Sequence, residues 1–174
     1  MDSPTDILLN LHQQVVEKSA DVPHQSQDAS WQSIAFKTNG QSLLINSQQV
    51  SEVVEVSTIT LIPGVQPWVA GIANIHGLIT PLIDLGLYLE GRASQTHAYC
   101  HVIAIERADM RFGLIVDQIV GMRQVIDVNR LETEPNENIE SFLNTTVEIA
   151  GERWQVFDIE KFVSTHKFYQ VAAA

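Results

Sequence analysis

The stretch Ile75–Leu89, IHGLITPLIDLGLYL, can be laid over a second stretch of the same chain, Ile149–Val163, IAGERWQVFDIEKFV. Gly77 then meets Gly151, Asp84 meets Asp158, Leu85 meets Ile159, and Tyr88 meets Phe162. A second pair keeps the same order at a nearby offset. SLLINSQQV from Ser42 matches FGLIVDQIV from Phe112, with Ile45 over Ile115 and Val50 over Val120. Identities are few, but their order and near-constant offset point to a duplicated unit. Each copy reads as a hairpin, a loop, a glycine turn, a strand ending in Asp, and a short amphipathic helix.

Strand signals run outward from the repeat. SIAFKTNGQSLLIN places Asn39-Gly40 between two apolar runs, the strongest short hairpin signal. VSEVVEVSTITLI is rich in β-branched residues suited to a half-buried pleated surface. Pro81, inside GLITPLIDL, marks an edge or a bulge because it has no N–H to donate. AYCHVIAIE, RFGLIVDQIVGMRQVIDV, TTVEIAG and RWQVFDI complete a mainly β chain of short strands. Two small barrels side by side are expected: the first over 31–91, the second over 97–150, and 151–165 a strand and helix free to pack back on the first. Residues 3–18 read as an N-terminal helix with Pro4 at its first position and an apolar stripe of Ile7, Leu8, Leu11 and Val15. A polar linker completes the segment 1–30, and 166–174 is a tail.

Composition excludes several classes. A formal net charge of −11, with ten Lys plus Arg, gives no basic face for nucleic acid or an anionic membrane. One Cys, Cys100, rules out an internal disulfide and suits a reducing, cytoplasmic compartment. The start MDSPTDILLN has no basic region before an apolar core, and no stretch has the uninterrupted apolar length of a spanning helix, so no membrane insertion is expected.

Candidate chemistry is weak throughout. Two repeat-related carboxylates raise the idea of an aspartic-protease dyad, but Asp84-Leu85-Gly86 and Asp158-Ile159-Glu160 lack the Ser or Thr and Gly that such chemistry needs. The plainer reading is that each Asp caps the helix behind it. His97, Cys100 and His101 match no standard zinc spacing, and neighbouring strand residues point to opposite faces. No phosphate-binding loop precedes a helix. Neither an enzyme, a metal nor a cofactor is therefore expected. What remains is binding, through open sheet edges or a cleft between the barrels. Val65, Trp68, Val69 and Ile72 are more apolar than a loop needs, and Trp68 is either core or an interface anchor.

Here the residues carry a likeness. LIPGVQPWVAGIANIHGLITPLIDL resembles the signature of CheW-like chemotaxis coupling domains through Pro63, Gly64, Gly71, Asn74, Gly77, Pro81 and Asp84. GLIVDQIVGM is similar to the family's second motif through Gly113, Val116, Asp117 and Val120. The resemblance implies two five-stranded SH3-like barrels. It also implies an adaptor that joins the cytoplasmic hairpin tip of a methyl-accepting chemoreceptor to the CheW-like regulatory domain of a histidine kinase. Its extended N-terminus and the wording around Trp68 point to the branch serving type IV pilus, or twitching motility, chemosensory systems. Carried over by motif, the interaction residues are Gly71, Asn74 and His76, then Gly113 and Asp117, with Val50 and Glu52 near the receptor or kinase contact. Two departures stand out: His76 and Gly86 occupy positions where the family usually has Arg. A neutral imidazole lacks the fixed, multi-donor fork of a guanidinium, so the contact is expected to be weaker, differently paired or pH-sensitive. The competing account is a generic two-barrel peptide- or strand-binding module with no connection to chemoreceptors. For Asn74, a turn residue bonding its own backbone is the plainer alternative.

Overall fold

The computed structural model describes residues 30–95, 99–107, 110–126, 130–131, 141–143 and 145–173. The helix expected over 3–18 lies outside them. The strands are β1 (Ser30–Thr38), β2 (Gln41–Asn46), β3 (Glu52–Val56), β4 (Val69–Ile75), β5 (Leu78–Asp84), β6 (Cys100–Arg107), β7 (Met110–Val116), β8 (Gln118–Ile126), β9 (Arg130–Leu131), β10 (Thr145–Ile149) and β11 (Glu152–Val156). Short helices follow β5 and β11: α1 (Leu85–Glu90), α2 (Ile159–Ser164) and α3 (His166–Tyr169). One sheet runs β8-β1-β2-β11-β10-β9, the other β3-β6-β7-β5-β4. The expected mainly β fold of two small curled units is therefore found, with the two-residue β9 added at an edge of the first.

The duplication is visible in local geometry. Asn39-Gly40, His76-Gly77 and Ala150-Gly151 each close a hairpin with both turn residues at positive φ. That is the turn whose twist matches the strands it joins. Asp84 accepts the Leu87 N–H at 3.1 Å and Asp158 accepts the Lys161 N–H at 3.2 Å. Both aspartates are helix caps at equivalent places.

The two copies do not each form a sheet. The β1–β2 hairpin of the first copy lies between β8 and β11 of the second, while β6–β7 of the second lies between β3 and β5 of the first. Consecutive barrels over 31–91 and 97–150 therefore do not describe the sheets. The reason is the parallel pairing of β2 with β11 and of β5 with β7, which only distant segments can make. Pro81 sits inside the sheet order, yet the β5–β7 ladder begins at Leu82, one residue after it. On the other side Pro81 is registered with Ile72, whose N–H and C=O both turn away to Thr60, so the missing N–H costs no ladder bond on either side.

Exchange of hairpins leaves three apolar layers. Ala35, Leu44, Val125, Val147 and Trp154 fill the first unit. Val56, Ala73, Ile75, Leu82, Val102 and Ile115 fill the second. The largest core lies between them and takes Phe36, Leu43 and Ile45 from one sheet, Ile103, Ile105 and Leu114 from the other, and aromatic rings from the helices. Strands covered on both faces explain the unbroken apolar runs LLI and VIAI. Tyr88 and Phe162, matched by the repeat, meet at 4.8 Å between ring centroids, and Trp68, 6% exposed, packs edge-on against Tyr88 at 5.1 Å. Trp68 is core, not an exposed anchor. Phe162 also meets Phe142, Phe157 and Phe168.

Phe162→Ala should remove about 3–5 kcal/mol of stability, as truncation of a fully buried aromatic does. Urea denaturation followed by tryptophan fluorescence measures it, and Phe162→Leu should lose much less.

Candidate protein-interaction site

The β4–β5 hairpin ends in a tip that projects from the second sheet. Asn74 is exposed and its Oδ1 accepts the Gly77 N–H at 2.7 Å. This side chain therefore shapes the turn as well as facing solvent. His76 holds φ at 51°, its side chain is 73% exposed, and its Nε2 lies 3.1 Å from Glu52 Oε2. Leu78 and Ile79 follow, also exposed.

Glu52 opens β3 and is half-buried. Its other oxygen, Oε1, accepts from Arg111 Nη2 at 2.8 Å. Arg111 additionally donates through Nη1 to Glu106 Oε2 at 2.7 Å and through Nε to Thr80 Oγ1 at 3.0 Å. The sequence motifs give Glu52, Asn74 and His76, and the structure brings these three to one end of the second sheet. They do not give Arg111, whose signal was a lone cation preceding the apolar run FGLIV.

The remaining carried-over residues lie elsewhere. Gly71 is buried, with φ at 134°, and a Cβ there would stand 2.3 Å from the Thr60 carbonyl oxygen. A backbone does approach this glycine closely, but it is the chain's own: Thr60 and Ile72 exchange both bridge hydrogen bonds, at 2.8 and 2.9 Å. Gly71 is not open to a partner. Gly113 is buried as well, and a Cβ there would meet Val102 Cγ1 at 2.6 Å and Leu82 Cδ2 at 2.7 Å. Its role is packing inside the second unit. Asp117 accepts the Asn39 N–H at 2.7 Å and the Gln95 N–H at 2.5 Å, tying the first hairpin turn to the segment after α1. Val50 packs against the shared core.

The chemical alternatives find no geometry. Asp84, 8% exposed, accepts from Leu87 N, Ser94 N and Ser94 Oγ, so its oxygens are occupied by a cap. His97 lies outside the described residues, and among those described no cluster of three metal-ligating side chains occurs. His101 meets Glu55 at 3.6 Å as a surface pair. No described helix is long and apolar enough to cross a membrane.

The model of the CheW-like domain matches residues 32–167. The chain belongs to the CheW-like family. Its relatives include Protein PilI of Pseudomonas aeruginosa, 32% identical over 71% of this chain and 70% of that protein. The chemotaxis protein CheW of Bacillus subtilis is 33% identical over 58% of this chain and 63% of that protein. The crystal structure of the scaffolding protein TtCheW from Thermoanaerobacter tengcongensis shares the fold, with a TM-score of 0.67 and 21% identity over 78% of this chain and 94% of that one. CheW-like proteins are scaffolds of chemosensory systems and catalyse no reaction. The CheW-like fold of this chain accordingly presents surfaces rather than a reaction centre.

Gly71→Ala tests the reassignment of that glycine. A β-carbon driven into the Thr60 carbonyl, at a φ that L-residues avoid, should cost about 3 kcal/mol. The thermal unfolding midpoint should fall accordingly, whether or not a partner is present.

Proposed function

We propose that this CheW-like protein couples a methyl-accepting chemoreceptor to a CheA-type histidine kinase in a cytoplasmic chemosensory array controlling type IV pilus twitching motility. Family membership supports the coupling role, and the similarity to PilI supports the pilus system. The observation that carries the proposal to a surface is the β4–β5 tip. Asn74, His76, Leu78 and Ile79 form an exposed polar and apolar set at and beside a two-residue turn. A rigid hairpin presenting both kinds of group suits a protein partner, because apolar contact supplies affinity and polar groups fix orientation. Of the carried-over residues, Asn74, His76 and Glu52 belong to this interaction surface. The receptor's helical hairpin and the kinase's regulatory β-domain are the two partners the reading requires.

Calorimetric titration of the chain with the regulatory domain of the pilus-system kinase tests it, using wild type and His76→Gly. Glycine keeps the left-handed turn and removes the imidazole. Micromolar binding that weakens at least tenfold in the folded variant is expected, equivalent to about 1.4 kcal/mol or more. Unchanged binding would move the kinase contact away from this tip and leave it to the receptor. Absence of binding by wild type would favour the strand-binding module instead.

A further inference from the structure

The second sheet has two edges, β3 and β4, and polar side chains meet near one end of it. Along β7, Phe112, Leu114 and Val116 face the shared core, while Gly113 and Ile115 face the unit's own interior. Arg111 continues the second series, and its side chain is only 16% exposed. Its guanidinium reaches Glu52 on β3, Glu106 on β6 and Thr80 on β5. In the order β3-β6-β7-β5-β4 it therefore ties four neighbouring strands. Glu52 divides its oxygens, Oε1 to Arg111 and Oε2 to His76 at the end of β4. The chain Arg111–Glu52–His76 thus crosses from one edge of the sheet to the other.

We infer that Arg111 is a positioning residue for the surface proposed above: it orients the Glu52 carboxylate, and the carboxylate sets the place of the His76 imidazole. The inference rests on that reading for its functional meaning, but not for its test. The guanidinium is suited to the task because a planar fork with several fixed donors holds separate acceptors at once. A lysine at 111 would keep the charge and lose the fork. Without any cation there, the partly buried Glu52 carboxylate would lose the donor to its Oε1.

The test follows the His76 ring signals by NMR in the full chain at one fixed pH. Wild type, Glu52→Gln, Arg111→Lys and the double variant are compared. Arg111→Lys should displace the His76 signals in the same direction as Glu52→Gln and by at least half as much. The double variant should show no more than Glu52→Gln alone, because both changes break one chain of contacts. Wild-type His76 signals in a folded Arg111→Lys protein would overturn the inference. So would displacements that add in the double variant, or a Glu52→Gln variant in which His76 does not respond. Should Arg111→Lys fail to fold, Thr80→Val removes one of the three acceptors and leaves the charge. A smaller displacement in the same direction is then expected, and none would overturn the inference. No partner enters these measurements, so a kinase titration without binding would sink the coupling reading alone.

Discussion

Parallel pairing of Leu43–Leu44 with Gln155–Val156, and of Leu82–Asp84 with Gly113–Ile115, joins each sheet from hairpins far apart in sequence. Neither half of the duplicated chain can complete a sheet by itself, because each lends a hairpin to the other. Either sheet alone would leave its side of the shared core, such as Phe36 and Leu43 or Ile103 and Leu114, open to water. Interleaving removes the difficulty by making the two units one cooperative structure. The aromatic layer between them is then obligatory. Phe36 and Leu43 on one side, Ile103 and Leu114 on the other, have no solvent-facing alternative.

The same arrangement places the surface. Because β5 is paired on both sides, with β4 and with β7, the hairpin it forms with β4 is anchored at its base. Thr60 bridges Ile72 on the outer side of β4, and Asp84 and Ser94 fix the far end of β5 against α1. Only the tip is left outside. An adaptor needs surfaces held in constant relation to one another, since its whole effect is to set where two other proteins stand. Two sheets locked through one core meet that need without chemistry.

Much of this was legible in the residues. Asn39-Gly40 announces its turn, and the matched Gly77 and Gly151 announce theirs, because positive φ at two successive residues is a demand few sequences meet. Asp84 and Asp158 before short amphipathic runs announce caps. What periodicity could not supply was partnership. A parallel pair has no turn between its strands and so no local signal, which is why a chain read from left to right divides into consecutive barrels when the sheets do not. The glycines are ambiguous in sequence for a related reason. Gly71 does mark a close backbone approach, but a sequence does not say whose backbone approaches, and here it is Thr60. Gly113 marks a crowded interior between Val102 and Leu82, which looks identical in sequence to a recognition turn.

Arg111 was missed because a single cation before an apolar run is usually a strand end reaching solvent. Its neighbours show otherwise. Glu52, Thr80 and Glu106 come from three separate strands, and only the register of β3, β6, β7 and β5 makes them converge on one guanidinium. A half-buried carboxylate such as Glu52 is costly unless its oxygens are bonded, and a planar donor fork from within the sheet satisfies one of them without using the exposed imidazole. That division of labour frees His76. The imidazole is not the sole group holding Glu52, because Arg111 bonds Oε1 while His76 meets Oε2. Within this chain the buried cation that holds Glu52 is Arg111 on β7, two strands in from the β4 edge.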